Sequence, residues 1–581
     1  MGEATRRSVG VEIRGSERPM PFLRPYRSTG RLNDVELAKL ERHPLRVAEA
    51  VIREYSVSGP DAIAEVPGEA ERLKWVGLYP QRQGADAFML RMKIPGGRLT
   101  AAQLREIGLV AEAFAEGPVD SPVFGNRYAD LTTRQDIQLH WIRIEDVPSI
   151  WRRLAAVGIT TVQACGDSAR NVLCCPLSGV GVNEVFDASP VALAINEMFT
   201  GNREYANLPR KFKLSVTGCR EDCVQAEIND VGLWPARLED GSVGFNALVG
   251  GGLSDGERMA SDIDVFVRPE QAVELVRAIA QLYGELGNRE NRGLARMRYL
   301  VQELGPEGFR SELVRRASFP LVPSGVALTV EARGDHVGVQ PQVQDGLFAV
   351  GCCVPVGRAA GRDLVEVSRV ASAYGDGGIR LTTDQNFVLT GVPEDRVDDL
   401  LAEDVVRKLS PFPGPFARGV VACTGSEFCR FAVVETKERA VKMAGWLDEN
   451  LAPGGDRLAA DWRNRGDEGP DVVRLHVSGC SASCAQPQIA DIGFRGATAH
   501  DRDEIVEAFD IGMGGSLGLD AAFGDWIDGG HPASRAHEAV ARVFERFKAG
   551  RRAGEPFHVW ARRMPASELR ATLAGVEASG T

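Results

Sequence analysis

Residues 213–233 read KLSVTGCREDCVQAEINDVGL and residues 474–494 read RLHVSGCSASCAQPQIADIGF. Cys219 and Cys480, Cys223 and Cys484, and Asp230 and Asp491 each stand 261 positions apart. Working outward, FMLRMKIPGGRLT (88–100) answers FAVGCCVPVGRAA (348–360), and ADLTTRQDIQL (129–139) answers IRLTTDQNFVL (379–389). ACGDSARNVLC from Ala164 answers ACTGSEFCR from Ala422, a match that sets Cys165 against Cys423. Four segments in one order, at offsets of 250 to 261, mark an internal duplication. Two such copies predict a pseudo-two-fold molecule. Each mixes β-branched strands with helices of ten or more residues, so the fold class is α+β, a mixed α/β architecture.

The first copy's strand-like run leads into a helix capped by Thr100, with Gln103 three residues on. Asp363 with Glu366 is the corresponding cap in the second. Further helices are predicted at 190–199, 269–284, 436–447 and 534–548, and a strand at 472–477. The Pro-rich SFPLVPSGV from Ser318 is the linker between copies.

With 581 residues, 44% hydrophobic and 25% charged, the chain is of ordinary globular composition, long enough for several cores. A net charge of −12 argues against general nucleic-acid binding, which requires surplus Lys and Arg. No apolar run approaches the roughly 18 residues of a membrane span, and the Arg-bearing first 20 residues lack the apolar core of a signal peptide. Those residues are expected to be a solvated arm, and the protein cytoplasmic and monomeric. Eleven cysteines in such a chain point to metal or redox chemistry. Cys352 and Cys353, in an apolar run, are instead expected to be packing residues.

The second copy carries a C-x5-C pair (Cys423, Cys429) and a C-x3-C pair (Cys480, Cys484). Four thiolates suit an iron–sulfur cluster or zinc. Structural zinc favours C-x2-4-C, so the spacing fits a cluster better, with zinc and no metal as the remaining alternatives. The first copy keeps Cys219 and Cys223 but carries extra cations. Arg134 stands opposite Asp384, Arg91 opposite Gly351 and Lys211 opposite Val472, and Arg170 lies in the same copy. Lys211 and Lys213 are two apart on a strand and share one face, with Phe212 and Leu214 on the other. Side-by-side ammonium groups repel each other unless solvent or an anion lies between them. With the three arginines they outline an anion site, to which Lys93 could add.

At these residues the chain resembles the sulfite and nitrite reductase hemoprotein family, from about Trp75 to Phe557. The resemblance implies siroheme joined through a cysteine, here Cys484, to a [4Fe–4S] cluster held by Cys423, Cys429, Cys480 and Cys484. It implies a pocket of Arg91, Arg134, Arg170, Lys211 and Lys213 for the siroheme carboxylates and the substrate anion. It also implies three domains around the cofactors. Residues 1–85 would form an arm and wrapping segment. Residues 86–160 and 326–405 would be paired ferredoxin-like halves, and 161–325 and 406–581 the two siroheme-binding domains. Sulfite is mostly divalent near neutral pH and nitrite monovalent, so two lysines favour six-electron sulfite reduction, with nitrite reduction the alternative. Members of the family with sulfite activity can join a Tyr to a Cys beside the haem, and Tyr79 and Cys165 stand at the matching places.

No G-x-G-x-x-G follows a strand, and the Gly-rich 250–252 lacks phosphate-loop spacing, so it is read as a loop. The electrons would then come from another protein, and the family points to reduced ferredoxin. A non-catalytic metal-bearing interaction protein is the reading of another class.

Overall fold

The computed structural model describes residues 9–15, 30–84, 86–329, 334–452, 462–463, 472–501, 504–518 and 520–575. Of the first 20 residues only 9–15 are among them, and these are not a solvated arm: Val9 is buried in the first core, with Val11 and Ile13 packed against it.

Each copy builds a small antiparallel sheet and donates one strand to the other. The first joins Leu78–Pro80, Phe88–Met92, Ile137–Ile142 and Gly125–Leu131, and then accepts Arg358–Ala360 from the second copy. The second joins Gly338–Pro341, Leu347–Cys352, Phe387–Pro393 and Gly378–Leu381, and accepts Arg98–Thr100 from the first. The exchange pairs Arg358 with Asp130 and Arg380 with Arg98. The helices Ala101–Phe114 and Gly361–Tyr374 pack against each other across it. Their closest approach is at two glycines. A Cβ on Gly108 would lie 2.6 Å from Gly361 O, and one on Gly361 would lie 2.7 Å from Gly108 O.

The two larger sheets share one topology. In the first copy Ala169–Cys174, Phe212–Val216 and Val231–Arg237 run parallel, and Val243–Val249 and Ser261–Val267 follow antiparallel. In the second, Val420–Ala422, Leu475–Ser478 and Ile492–Asp501 run parallel, then Glu504–Met513 and Asp525–Pro532 antiparallel. Helices Ser189–Phe199 and Pro269–Leu286 cover the first sheet, and Lys437–Leu451 and Ala536–Gly550 the second. Three main cores result, one uniting the ferredoxin-type halves and one for each large sheet. Cys352 is fully buried in the first.

Local matches extend the symmetry. Asp230 accepts a hydrogen bond from Lys213 N at 2.8 Å, and Asp491 accepts one from Arg474 N at 2.8 Å. Gln225 and Gln486, both left-handed (φ 58° and 62°), exchange amide hydrogen bonds and sit where the pseudo-axis passes.

Two local expectations change. Thr100 caps its helix with the reciprocal Gln103 contact, but the second helix starts after Ala360, with Asp363 inside its first turn. A carboxylate there still faces the positive end of the helix dipole without capping it. The strand expected at 472–477 is Leu475–Ser478. The Pro-rich linker is laid along the first large sheet, with Phe266 N donating to Val322 O at 2.8 Å and Val326–Ala327 pairing with Val231–Arg237.

Candidate active site and cluster-binding cysteines

Neighbouring parallel strands end side by side, so the loops after them share one edge of the sheet. Cys423 follows Val420–Ala422, and Cys480 and Cys484 follow the adjacent Leu475–Ser478. Gly479 N donates to Cys423 Sγ at 3.2 Å, and Cys429 N closes its loop on Gly425 O at 3.0 Å. Burial, then the Cys484 and Cys429 sulfurs nearby, push the Cys423 thiol up to about 12. Burial, Cys484 and Cys429 raise Cys480 as well. The four sulfurs are thus electrostatic neighbours. Four neighbouring thiols can ionise together only around a cation, and that is donor chemistry suited to a metal cluster. Cys484 is the exposed member.

The first copy's sheet, with the strand it accepts from the second, clamps these loops. Tyr128 Oη donates to Glu427 Oε1 at 2.7 Å, and Arg358 Nη1 to Glu427 Oε2 at 2.7 Å. His140 stacks on Phe428 with ring centres 3.9 Å apart. Gln138 Nε2 donates to Thr424 Oγ1 at 3.0 Å, and Thr133 Oγ1 to Cys484 O at 3.2 Å.

The predicted cations are contributed by the first copy, and two of them lie within the field of Cys484. Lys211 and Lys213 point away from the core that takes Phe212 and Leu214. Neither ammonium has an ion-pair or hydrogen-bond partner among the described residues. Burial, then Arg296 and Arg170, push Lys211 down to about 7, while Cys484 pulls the other way. Burial, Arg134 and Lys211 push Lys213 well down. Arg91 also lies within the field of Cys484. Its Nη1 donates to Cys165 Sγ at 3.3 Å and its Nη2 to Gln138 Oε1 at 2.9 Å. Arg170 is anchored on Ala164 O and Gly166 O, and Arg134 on Asn229 Oδ1 at 2.9 Å and Asn171 O at 2.7 Å. The Nε atoms of all three arginines are buried without a partner. A group of buried cations, two of them (Lys211 and Arg91) within the field of exposed Cys484, suits a polyanionic group such as siroheme, with its eight carboxylates, and a small anion beside it. Lys93 lies beneath, donating to Thr200 Oγ1 at 3.0 Å.

Tyr79 and Cys165 are brought together. Burial, followed by the neighbouring Cys165 sulfur, raises the Tyr79 hydroxyl to about 12. The 250–252 segment is a loop, as read. Its Gly250 N and Gly251 N bind Asp230 O and Asn229 O, under the residue that holds Arg134.

One sequence match is corrected. Cys174 pairs with Val216 across the parallel strands, and Ala422 pairs with Val477. Gln135 bridges Cys174 N and O as Gln385 bridges Ala422 N and O. Cys175, not Cys165, is therefore the counterpart of Cys423. The chain leading into the first copy's strand obscured this by offering an earlier Ala-Cys pair.

Sequence reasoning missed Arg296, whose Nη2 meets both Asp230 oxygens at 3.0 Å and whose charge bears on both lysines. It lies outside the repeated motifs, so no internal match could flag it. Asn229, the anchor of Arg134, lies inside a quoted motif, where Ala490 in the second copy was the available signal.

Comparison with known proteins gives matches along most of the chain. The model of the nitrite and sulphite reductase 4Fe-4S domain matches residues 165–321 and 414–578. That of the nitrite/sulfite reductase ferredoxin-like half domain matches 79–157 and 340–403. The chain is 42% identical to the assimilatory ferredoxin-dependent nitrite reductase of Haloferax mediterranei, over 88% of this chain and 89% of that one. It is 35% identical to sulfite reductase [ferredoxin] 1 of Mycolicibacterium paratuberculosis, over 93% and 96%. The solved structure of the Mycobacterium tuberculosis NirA protein superposes with a TM-score of 0.84 at 33% identity, covering 93% of this chain and 98% of that one.

Proposed function

The chain belongs to the nitrite and sulfite reductase family, which carries siroheme and a [4Fe–4S] cluster, and from that premise we propose that it reduces sulfite to sulfide with electrons from reduced ferredoxin. The observation that carries the choice of sulfite is the pair of unpartnered lysines, Lys211 within the field of Cys484 and Lys213 two residues on along the same strand face. Burial and neighbouring cations hold both amines down until an anion offsets their charge, and a dianion does so better than a monoanion.

Cys423, Cys429, Cys480 and Cys484 would hold the cluster, with Cys484 shared with siroheme. Arg91, Arg134, Arg170 and Lys211 would bind siroheme carboxylates or the substrate. When bound, the two cofactors supply the redox chemistry, one electron at a time over six. The chain does the rest. Lys211, Lys213 and the arginines concentrate the anion and stabilise negative charge as it builds on oxygen. Lys211, at about 7, is placed to donate a proton to a departing oxygen and regain it from solvent. Tyr79 and Cys165 would be joined by a thioether, the thiol and one ring C–H giving up two hydrogens to an external oxidant such as dioxygen; unlinked peptides in mass spectrometry of the purified protein would remove that part.

The test is a steady-state comparison of sulfite and nitrite with reduced ferredoxin, repeated on Lys213→Asn. Sulfite turnover should dominate in the wild type and shift toward nitrite in the variant. A wild type that prefers nitrite, or a variant with no shift, would sink the sulfite assignment. Nitrite reduction is the second reading, favoured by the name of the 42% identical relative. A non-catalytic metal protein would lack the intense visible bands of siroheme and cluster, which Cys484→Ser should abolish.

A further inference from the structure

Three of the four thiol positions recur in the first copy, and the fold gathers them. Cys175 follows the strand Ala169–Cys174, and Cys219 and Cys223 follow the adjacent Phe212–Val216. Their sulfurs all lie within 4.8 Å of one another, and the residues are at most 3% exposed. Thr383 Oγ1 binds Cys223 O at 2.9 Å, as Thr133 binds Cys484 O. The fourth position is not reproduced, because Gly181 stands where Cys429 would. In its place the segment that opens the second copy brings a buried imidazole. His336 Nε2 is 3.8 Å from Cys175 Sγ, and the ring also lies beside Cys219.

The geometry suits one ion and not a cluster. Zinc binds sulfur at about 2.3 Å, which sets tetrahedral sulfurs roughly 3.8 Å apart, whereas a four-iron cube spreads its ligands further. Three thiols and an imidazole form a closed structural zinc set. Zinc-bound histidines usually direct the other ring nitrogen to a carboxylate. Here His336 Nδ1 faces Glu221 Oε2 at 4.0 Å, and Glu221 sits between the two loop cysteines, fixed by Asn183 Nδ2 at 2.7 Å. Leu173, Leu177, Val224, Ala349 and Val388 close the surroundings to water.

We propose that Cys175, Cys219, Cys223 and His336 form a second metal site that holds one zinc ion, with Glu221 orienting the imidazole. The three thiols release their protons to solvent as the ion binds. The ion then ties the start of the second copy to the first copy's large sheet, across the pseudo-axis from the cluster. The site stands on its own ligands and not on the choice between sulfite and nitrite.

The full-length protein with its cofactors, isolated without added metal, provides the test. Elemental analysis should find about one zinc per chain besides the iron. X-ray absorption at the zinc edge should show three sulfurs near about 2.3 Å and one nitrogen near about 2.0 Å. Cys219→Ser and His336→Gln should each lower zinc content severalfold while the visible bands persist. Wild-type protein without zinc, an oxygen-rich zinc shell, or a disulfide among the three cysteines in unreduced peptide maps would overturn the proposal. If both variants lose zinc and visible bands together, the wild-type absorption spectrum decides.

Discussion

Asp130 is 1% exposed and carries a full complement of partners. Arg358 grips it through Nε at 2.7 Å and Nη2 at 3.0 Å, with His140 at 3.2 Å and Lys437 at 3.8 Å. Burial opposes its charge, but Arg358 and then Lys437 hold the carboxyl well below the usual range. Asp130→Asn leaves buried Arg358 with Glu427 as its remaining ion-pair partner among the described residues, and Lys437 without its own, and should cost about 3 kcal/mol, read as a lowered denaturation midpoint. A depressed carboxyl contributes fully above its ordinary value of 3.8 and less as pH falls toward its folded value. The gap between variant and wild type should therefore be level near neutrality and narrow below that value. Lys211 gives the opposite slope, in activity. Its ammonium loses its proton as pH rises through about 7, so KM for the anion should climb above that point. Lys211→Arg should move the climb to higher pH, and an unmoved profile would exclude Lys211 as its source.

At the scale of elements, the two long exchange-domain helices begin differently. Thr100 and Gln103 form a reciprocal cap, whereas Ala360 has no side chain to offer. Thr100→Ala should cost about 1 kcal/mol in chemical denaturation. The cluster loop depends on a left-handed turn. Gly425 has φ +68°, and a Cβ there would lie 2.5 Å from Thr436 Oγ1 and 2.8 Å from Thr436 N. Gly425→Ala should lower bound iron per chain in purified protein; unchanged iron would show that the loop adjusts freely. The Thr100 cap was readable because it obeys a local rule. The false cap at Asp363 obeyed the same local pattern, but strand exchange fixes where the chain turns, and it turns at Ala360.

The whole molecule is organised about its pseudo-axis, where Gln225 and Gln486 bind each other's amides. Changing either to Ala leaves a buried amide unsatisfied, at about 1–3 kcal/mol. The double variant should cost less than the two singles together, because the two residues satisfy one another. Additive losses in a double-mutant cycle would show that the contact is not what joins the halves.

The sequence alone determined the duplication and the mixed α/β class, and it singled out four cysteines of one copy and the cations of the other as the proposed site. Those features live in motif spacing and residue type, which need no three-dimensional partner to be seen. The tertiary structure decided the strand exchange, the true counterpart of Cys423, the place of Arg296 and the meeting of His336 with three thiols. Each depends on which distant segments become neighbours, and that is settled by packing and strand register, to which local pattern is blind.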